Sequence, residues 1–198
     1  MNQKSSLRED PQFVSWVLTG NTHNAASDPT EMEAQQLASA HSGLGVLFRD
    51  SRRYDDALLE FREALAIQED IANKQPSVAH LAKYAVTLTR IGYVLSEQSN
   101  FTDAIQNYER AIDFFQRAAR IDPTDVSVQS LLARAQVGLG DVFMRTDQYD
   151  KAIKQYQSAL QIREQLLTKS PDDTMLQGSV ESIRKMVQQA ETKSNEKK

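Results

Sequence analysis

Residues 139–160, LGDVFMRTDQYDKAIKQYQSAL, decide the fold, because their pattern stands twice earlier: LGVLFRDSRRYDDALLEFREAL at 44–65 and IGYVLSEQSNFTDAIQNYERAI at 91–112. Each copy sets an alanine 12 residues after its glycine, an aromatic ring 16 after it and a second alanine 19 after it. These are Gly45, Ala57, Phe61 and Ala64, then Gly92, Ala104, Tyr108 and Ala111, then Gly140, Ala152, Tyr156 and Ala159. A further aromatic, Tyr54, Phe101 or Tyr149, keeps the same register. Outward from these segments, Pro29, Pro76, Pro123 and Pro171 are spaced 47, 47 and 48 residues apart. One period shared by prolines, glycines, alanines and aromatics marks a repeat array. Pro11 lies outside it.

Each unit reads as two helices. Thr30, directly after Pro29, has Glu33 three residues on, the spacing of a capping box. Leu37, Ala40, Leu44 and Leu47 follow at helical intervals, and Asp50 to Arg53 form a polar break. The second helix carries Ala57, Leu58, Phe61, Ala64, Leu65 and Ile71 on one broad face and stops before Pro76, since proline cannot continue a helix. The breaks at Ser99-Asn100 and Asp147-Gln148 are built from residues that tolerate tight turns. A mid-helix glycine costs about 1 kcal/mol relative to alanine. Its recurrence at one register predicts close helix approach, with each glycine facing Ala57, Ala104 or Ala152 and the ring filling the space beside that contact. A helical hairpin cannot bury its face alone, so such units stack into a solenoid.

The order Leu44-Gly45, Ala57, Phe61, Ala64, repeated from Ile91-Gly92 and Leu139-Gly140, resembles the tetratricopeptide repeat (TPR). The family's aromatic three residues after glycine is matched by Phe48 and Phe143 and replaced by Leu95 in the second unit. The period departs from the family's 34 residues, because the closing prolines come later and both helices are longer. In this the chain resembles the long-helix form of kinesin light chains and bacterial signalling proteins, with phrases such as Ala64-Leu65-Ala66-Ile67-Gln68-Glu69 and Ala159-Leu160-Gln161-Ile162-Arg163-Glu164. The resemblance covers residues 30–171 and implies an all-α, right-handed α-α superhelix of three helical hairpins, 30–76, 77–123 and 124–171.

The ends read as caps. Leu176, Val180, Ile183, Val187 and Ala190 form one stripe, and Gln188 stands where a fourth glycine would fall. The expectation is a lone C-terminal capping helix over 172–190, followed by a charged, frayed tail over 191–198. In the N-terminal segment, residues 1–29, Phe13, Val14, Trp16, Val17 and Leu18 make an apolar patch. It is expected to form a short helix covering unit one, with self-association or occupation of the groove as the alternatives.

Composition limits the chemistry. The 198 residues carry 23 Lys+Arg against 27 Asp+Glu, a formal charge of −4, and no cysteine. Missing thiols exclude disulfides, thiolate metal sites and cysteine nucleophiles. The acidic balance argues against nucleic acid or an anionic membrane as main partner, and a cytoplasmic location is the expectation. His23, His41 and His80 do not pair at i+3 or i+4. No phosphate loop, serine elbow or histidine–carboxylate motif is present. Asp55-Asp56 and Asp172-Asp173 sit at predicted helix starts, where negative charge suits the helix dipole. The reading is a protein without catalysis, cofactor or metal.

What the resemblance implies instead is a concave groove lined by first helices. By the family's pattern, groove positions lie three residues before the glycine and one and four after it. Carried over, these are Ser42, Val46 and Arg49 in unit one, Thr89, Tyr93 and Ser96 in unit two, and Val137, Asp141 and Arg145 in unit three, with Arg90 and Arg134 beside them. Four arginines then face Asp141 alone, which suits an acidic peptide held by guanidinium forks. The alternative is that these arginines are solvated or pair with nearby carboxylates. Chaperone-tail clamps of the family use a lysine and an asparagine where this chain has Ser42 and Val46, so that subclass is disfavoured. The expected function is a non-catalytic adaptor for a protein or peptide partner, the alternative a structural scaffold that homo-oligomerises.

Overall fold

A computed structural model describes residues 30–197 as seven α-helices. They are α1 (Glu31–Asp50), α2 (Tyr54–Lys74), α3 (Val78–Glu97), α4 (Phe101–Ile121), α5 (Val126–Arg145), α6 (Tyr149–Lys169) and α7 (Thr174–Glu196). The N-terminal segment 1–29, with its Phe13–Leu18 patch, lies outside the described residues.

Local chemistry starts and stops each helix. Thr30 and Glu33 close the expected capping box on α1, with Thr30 N–H donating to Glu33 at 2.7 Å and Glu33 N–H to Thr30 Oγ1 at 3.3 Å. Ser77, Asn100, Asp125 and Asp173 cap α3, α4, α5 and α7 by accepting backbone N–H groups. Every turn inside a unit has the same form. Arg52, Ser99 and Asp147 adopt left-handed backbone, with φ of 57°, 61° and 57°. The next amide in each, of Arg53, Asn100 and Gln148, reaches back to the carbonyl of Phe48, Leu95 or Phe143 at 2.8–2.9 Å. This Schellman closure satisfies helix-end carbonyls and folds the chain into a hairpin.

Packing runs along the chain: each helix lies against its sequence neighbours, and α3 also touches α5. The result is an all-α helical-repeat solenoid. Its centre is the ring of each second helix. Phe61, Tyr108 and Tyr156 are buried, and Ala57, Ala64, Ala104, Ala111, Ala152 and Ala159 are fully enclosed. The repeat glycines, however, meet these rings most closely, ahead of the alanines. A Cβ on Gly45 would lie 2.5 Å from Phe61 Cδ1, and one on Gly92 2.9 Å from Tyr108 Cδ2. Gly140 lies equally close against Tyr156. The glycine is needed because a flat ring lies directly on the helix backbone.

The C-terminal tail differs from expectation. Helix α7 continues to Glu196, because Ser194 extends the buried series Ile183, Ala190 and donates its hydroxyl to Asp150 at 2.7 Å.

Candidate functional site

First helices α1, α3 and α5 bring the groove candidates into three cross-unit contacts. Arg90 of α3 donates to the buried Ser42 hydroxyl of α1. Arg49 of α1 lies over the Tyr93 ring of α3 at 6.0 Å. Arg145 of α5 donates to the buried Ser96 hydroxyl of α3 at 2.8 Å and lies 4.9 Å from the Phe101 ring centroid. These contacts fix successive units to one another along one face. The same face leaves Tyr93 45% exposed, an aromatic side chain free for contact.

Other candidates sit differently. Thr89 turns its hydroxyl to the Ala85 carbonyl of its own helix at 2.9 Å. Val46 and Val137 are half-buried against the core, so they support the face more than they line it. Asp141 accepts the Tyr156 hydroxyl at 2.6 Å. Arg145 stands five residues after Gly140, one beyond the register of Arg49 and Ser96, where Met144 is found.

The charge balance of this face is not the expected four arginines against Asp141. Arg49 pairs with Asp50 at 2.7 Å, and Arg145 with Glu97 at 3.3 Å. Both acids lie at helix ends, next to the arginine in sequence or across one unit, so proximity in the fold neutralises them. Arg90 and Arg134, by contrast, have no carboxylate partner among the described residues. A third such cation joins them from the second helix α6. Arg163 donates to the Ser130 carbonyl at 3.2 Å, and its Nε is buried without a partner.

Arg134 acts electrostatically on each of the other two. Burial pulls the Arg90 guanidinium below its ordinary value, and Arg49 and Arg134 add to the effect. Burial does the same to Arg163, again with Arg134 adding. Asp141 moves the other way: burial raises its carboxyl, against the lowering influence of Tyr156 and Arg145. Burial also raises the Tyr108 phenol, and Asp141, Tyr93, Glu97 and Arg134 are close enough to act on it. Tyr108 therefore sits at the floor between α3 and α5, its ring held between Gly92 and Gly138.

Arg163 was not among the residues the sequence pointed to, because the family's groove pattern concerns first helices. A signal did exist: Arg163 occupies the repeat position of Gln68 and Phe115, both of which are buried. A cation at a core position is a cue to look for an anion. The two described histidines carry no such cue. His41 pairs with Glu60 at 2.8 Å, and His80 meets Gln35 and the Gln75 carbonyl. No group of three metal-ligating side chains occurs among the described residues.

Comparison with known proteins follows from this geometry. The SHNi-TPR family model matches residues 137–170, and a tetratricopeptide repeat model matches residues 103–125. The peroxisomal targeting signal receptor of Yarrowia lipolytica is 27% identical over 154 residues, 77% of this chain and 22% of that protein. Protein HGV2 of Halocynthia roretzi is 26% identical over 103 residues, 52% of this chain and 19% of that protein. The chain thus spans about a fifth of the length of these relatives. Among solved structures, the yeast histone chaperone Hif1 superposes with a TM-score of 0.62 at 14% identity, covering 94% of this chain and 91% of that one. BtubC of P. vanneervenii gives 0.60 at 19% identity, covering 98% and 72%. Those likenesses establish the fold of a helical-repeat solenoid, and the two repeat models show tetratricopeptide-type repeats at residues 103–125 and 137–170.

Proposed function

We propose that this chain is a non-catalytic protein-interaction scaffold whose concave face, between α1, α3 and α5, binds an acidic peptide segment of a partner. The observation that carries this reading is the cluster of Arg90, Arg134 and Arg163, cations with no carboxylate partner among the described residues in a protein of net charge −4. Guanidinium groups bonded only to neutral groups, or to none, keep donors for charge-assisted forks with carboxylates. Tyr93, exposed beside Arg49, supplies an aromatic contact that orients an extended chain. Repeat relatives described as a targeting-signal receptor and a histone-chaperone scaffold lend support at the level of protein binding.

The test is fluorescence anisotropy of labelled Asp/Glu-rich peptides against the full chain and the double variant R90E/R134E. Wild-type binding that the charge reversal removes, at unchanged helicity, supports the reading. Binding that survives the reversal sinks it.

A second reading, assembly into a homo-oligomer, draws on one feature. Leu44 and Leu47 of α1 are 37% and 62% exposed, whereas Ile91 and Val94, their repeat equivalents in α3, are 3% and 0% exposed. An uncovered helix face of this kind is a natural contact for another protein surface. Solution mass by light scattering separates the readings: a dimer that L44E/L47E converts to a monomer favours assembly.

A further inference from the structure

Arg134 and Arg163, neither with a carboxylate partner among the described residues, meet at one turn of α5. Within α5, the Ser130 carbonyl accepts the amide of Arg134, four residues on. Arg163 places its guanidinium on that same carbonyl at 3.2 Å, directly over the turn from which Arg134 projects. Arg90 stands on α3, which lies against α5, and acts on Arg134 electrostatically. Its described hydrogen bond goes to a neutral hydroxyl, that of Ser42. Glu164, adjacent to Arg163 in sequence, is engaged elsewhere, with Arg184 at 2.6 Å. Asp141, two turns beyond Arg134 on α5, is held by Tyr156. The Tyr108 hydroxyl, close to Gly138 at the floor of this region, donates to no side chain among the described residues.

Arg163 is the telling member. Its repeat equivalents, Phe115 and Gln68, are 1% and 8% exposed, so a guanidinium has been set where neutral side chains pack. Its Nε is buried with no hydrogen-bond partner. An unpaired, partly desolvated cation is unfavourable unless an anion arrives to pair with it. One carboxylate brings a single charge and two oxygens, too little for two guanidiniums and a phenol beside a third cation. A phosphate monoester carries about −1.5 to −2 charge at neutral pH and three strong acceptor oxygens. That matches two guanidinium forks and a phenol donor.

We infer that the face between α3 and α5 holds a phosphate subsite built from Arg134 and Arg163, with Tyr108 as a neutral donor and Arg90 adding positive charge from α3, and that it reads a phosphorylated serine or threonine on the bound peptide. This rests on the reading of the concave face as a peptide groove, and it specifies which anion the groove selects.

Two measurements on the full chain test it. The first is thermal unfolding in inorganic phosphate against chloride at matched ionic strength, for wild type, R134Q and R163L. The expected result is a saturable rise in melting temperature with phosphate that both variants lose. R163L should also melt higher than wild type without phosphate, because leucine suits a core position; a purely structural arginine would lower it. R134Q, at an exposed position, keeps the fold intact if R163L does not fold. The second is retention of a degenerate acidic peptide library with central phosphoserine against the same library with glutamate. At least tenfold preference for phosphoserine, abolished by R134Q, supports the inference. Equal retention of both libraries overturns it and leaves the acidic-peptide reading standing. Retention of neither overturns both. A phosphate response with no phosphopeptide preference assigns the site to free phosphate and overturns the peptide source.

Discussion

Two glycines two residues apart on α1 have opposite roles. Gly43 faces open space, with nothing within 4 Å of the place a Cβ would occupy, whereas a Cβ on Gly45 would lie 2.5 Å from the Phe61 ring. Alanine at Gly43 should therefore stabilise by up to about 1 kcal/mol through helix propensity alone. Alanine at Gly45 gains the same propensity but must displace a fully buried ring, an overpacking cost of about 1–3 kcal/mol. The net loss expected for G45A is up to about 2 kcal/mol, and urea unfolding of the two variants checks the difference from G43A. Asp141 gives a pH-dependent counterpart. Although the residue as a whole is exposed, desolvation around its carboxyl raises it in the folded state, so folding weakly favours the protonated form. The stability it contributes is complete below the ordinary carboxylate range near pH 3.9 and is lost as pH rises through the raised folded value. D141N, which keeps an oxygen for the Tyr156 hydroxyl, should raise the melting temperature at pH 7 and leave it unchanged at pH 3.

At the scale of helices, equivalent positions differ in burial according to what lies in front of them. Ile91 of α3 is 3% exposed beneath the preceding unit, while its equivalent Leu44 of α1 is 37% exposed. Truncating Ile91 to alanine should cost about 2–4 kcal/mol through lost burial and a cavity. The same change at Leu44 should cost roughly 1 kcal/mol or less, since much of its surface already meets water. Denaturant midpoints of I91A and L44A compare the two directly. Helices and turns of this kind were legible in the sequence because their causes are local: Thr30 and Glu33 cap α1 by their spacing, and the closing prolines forbid continuation. The contact partner of the repeat glycines was not legible. Alanine and ring stand four residues apart on one helix face, and spacing alone does not say which lies on the glycine. Neither was the pairing of Arg49 with Asp50 and Arg145 with Glu97, which depends on side-chain reach in the folded stack. Arg163 reached the site through a tertiary contact with Ser130 that no first-helix pattern contains.

For the whole molecule, stability is distributed along a line. Helices meet mainly their sequence neighbours, so in the described array a change at one end should be felt by the adjoining helix and fade with distance. Helix α7 makes this testable. Val180, Ile183 and Ala190 are buried, and they close the exposed side of α6. Ser194 and Lys197 tie its end to Asp150 and Asp147. A chain ending at Pro171 should keep its remaining helices, because three hairpins are about the minimum for a stable array. Without the cap, α6 loses its outer neighbour and opens more often. Amides of α6 should then exchange with solvent at least tenfold faster, those of α5 modestly faster, and those of α2 and α3 at nearly the wild-type rate. Hydrogen-exchange mass spectrometry of the truncated and full chains reads this gradient. Uniform loss of protection across all the helices would instead mean that the three hairpins unfold as one cooperative body. In that case the arginine site between α3 and α5 would depend on the far end of the solenoid as much as on its own neighbours.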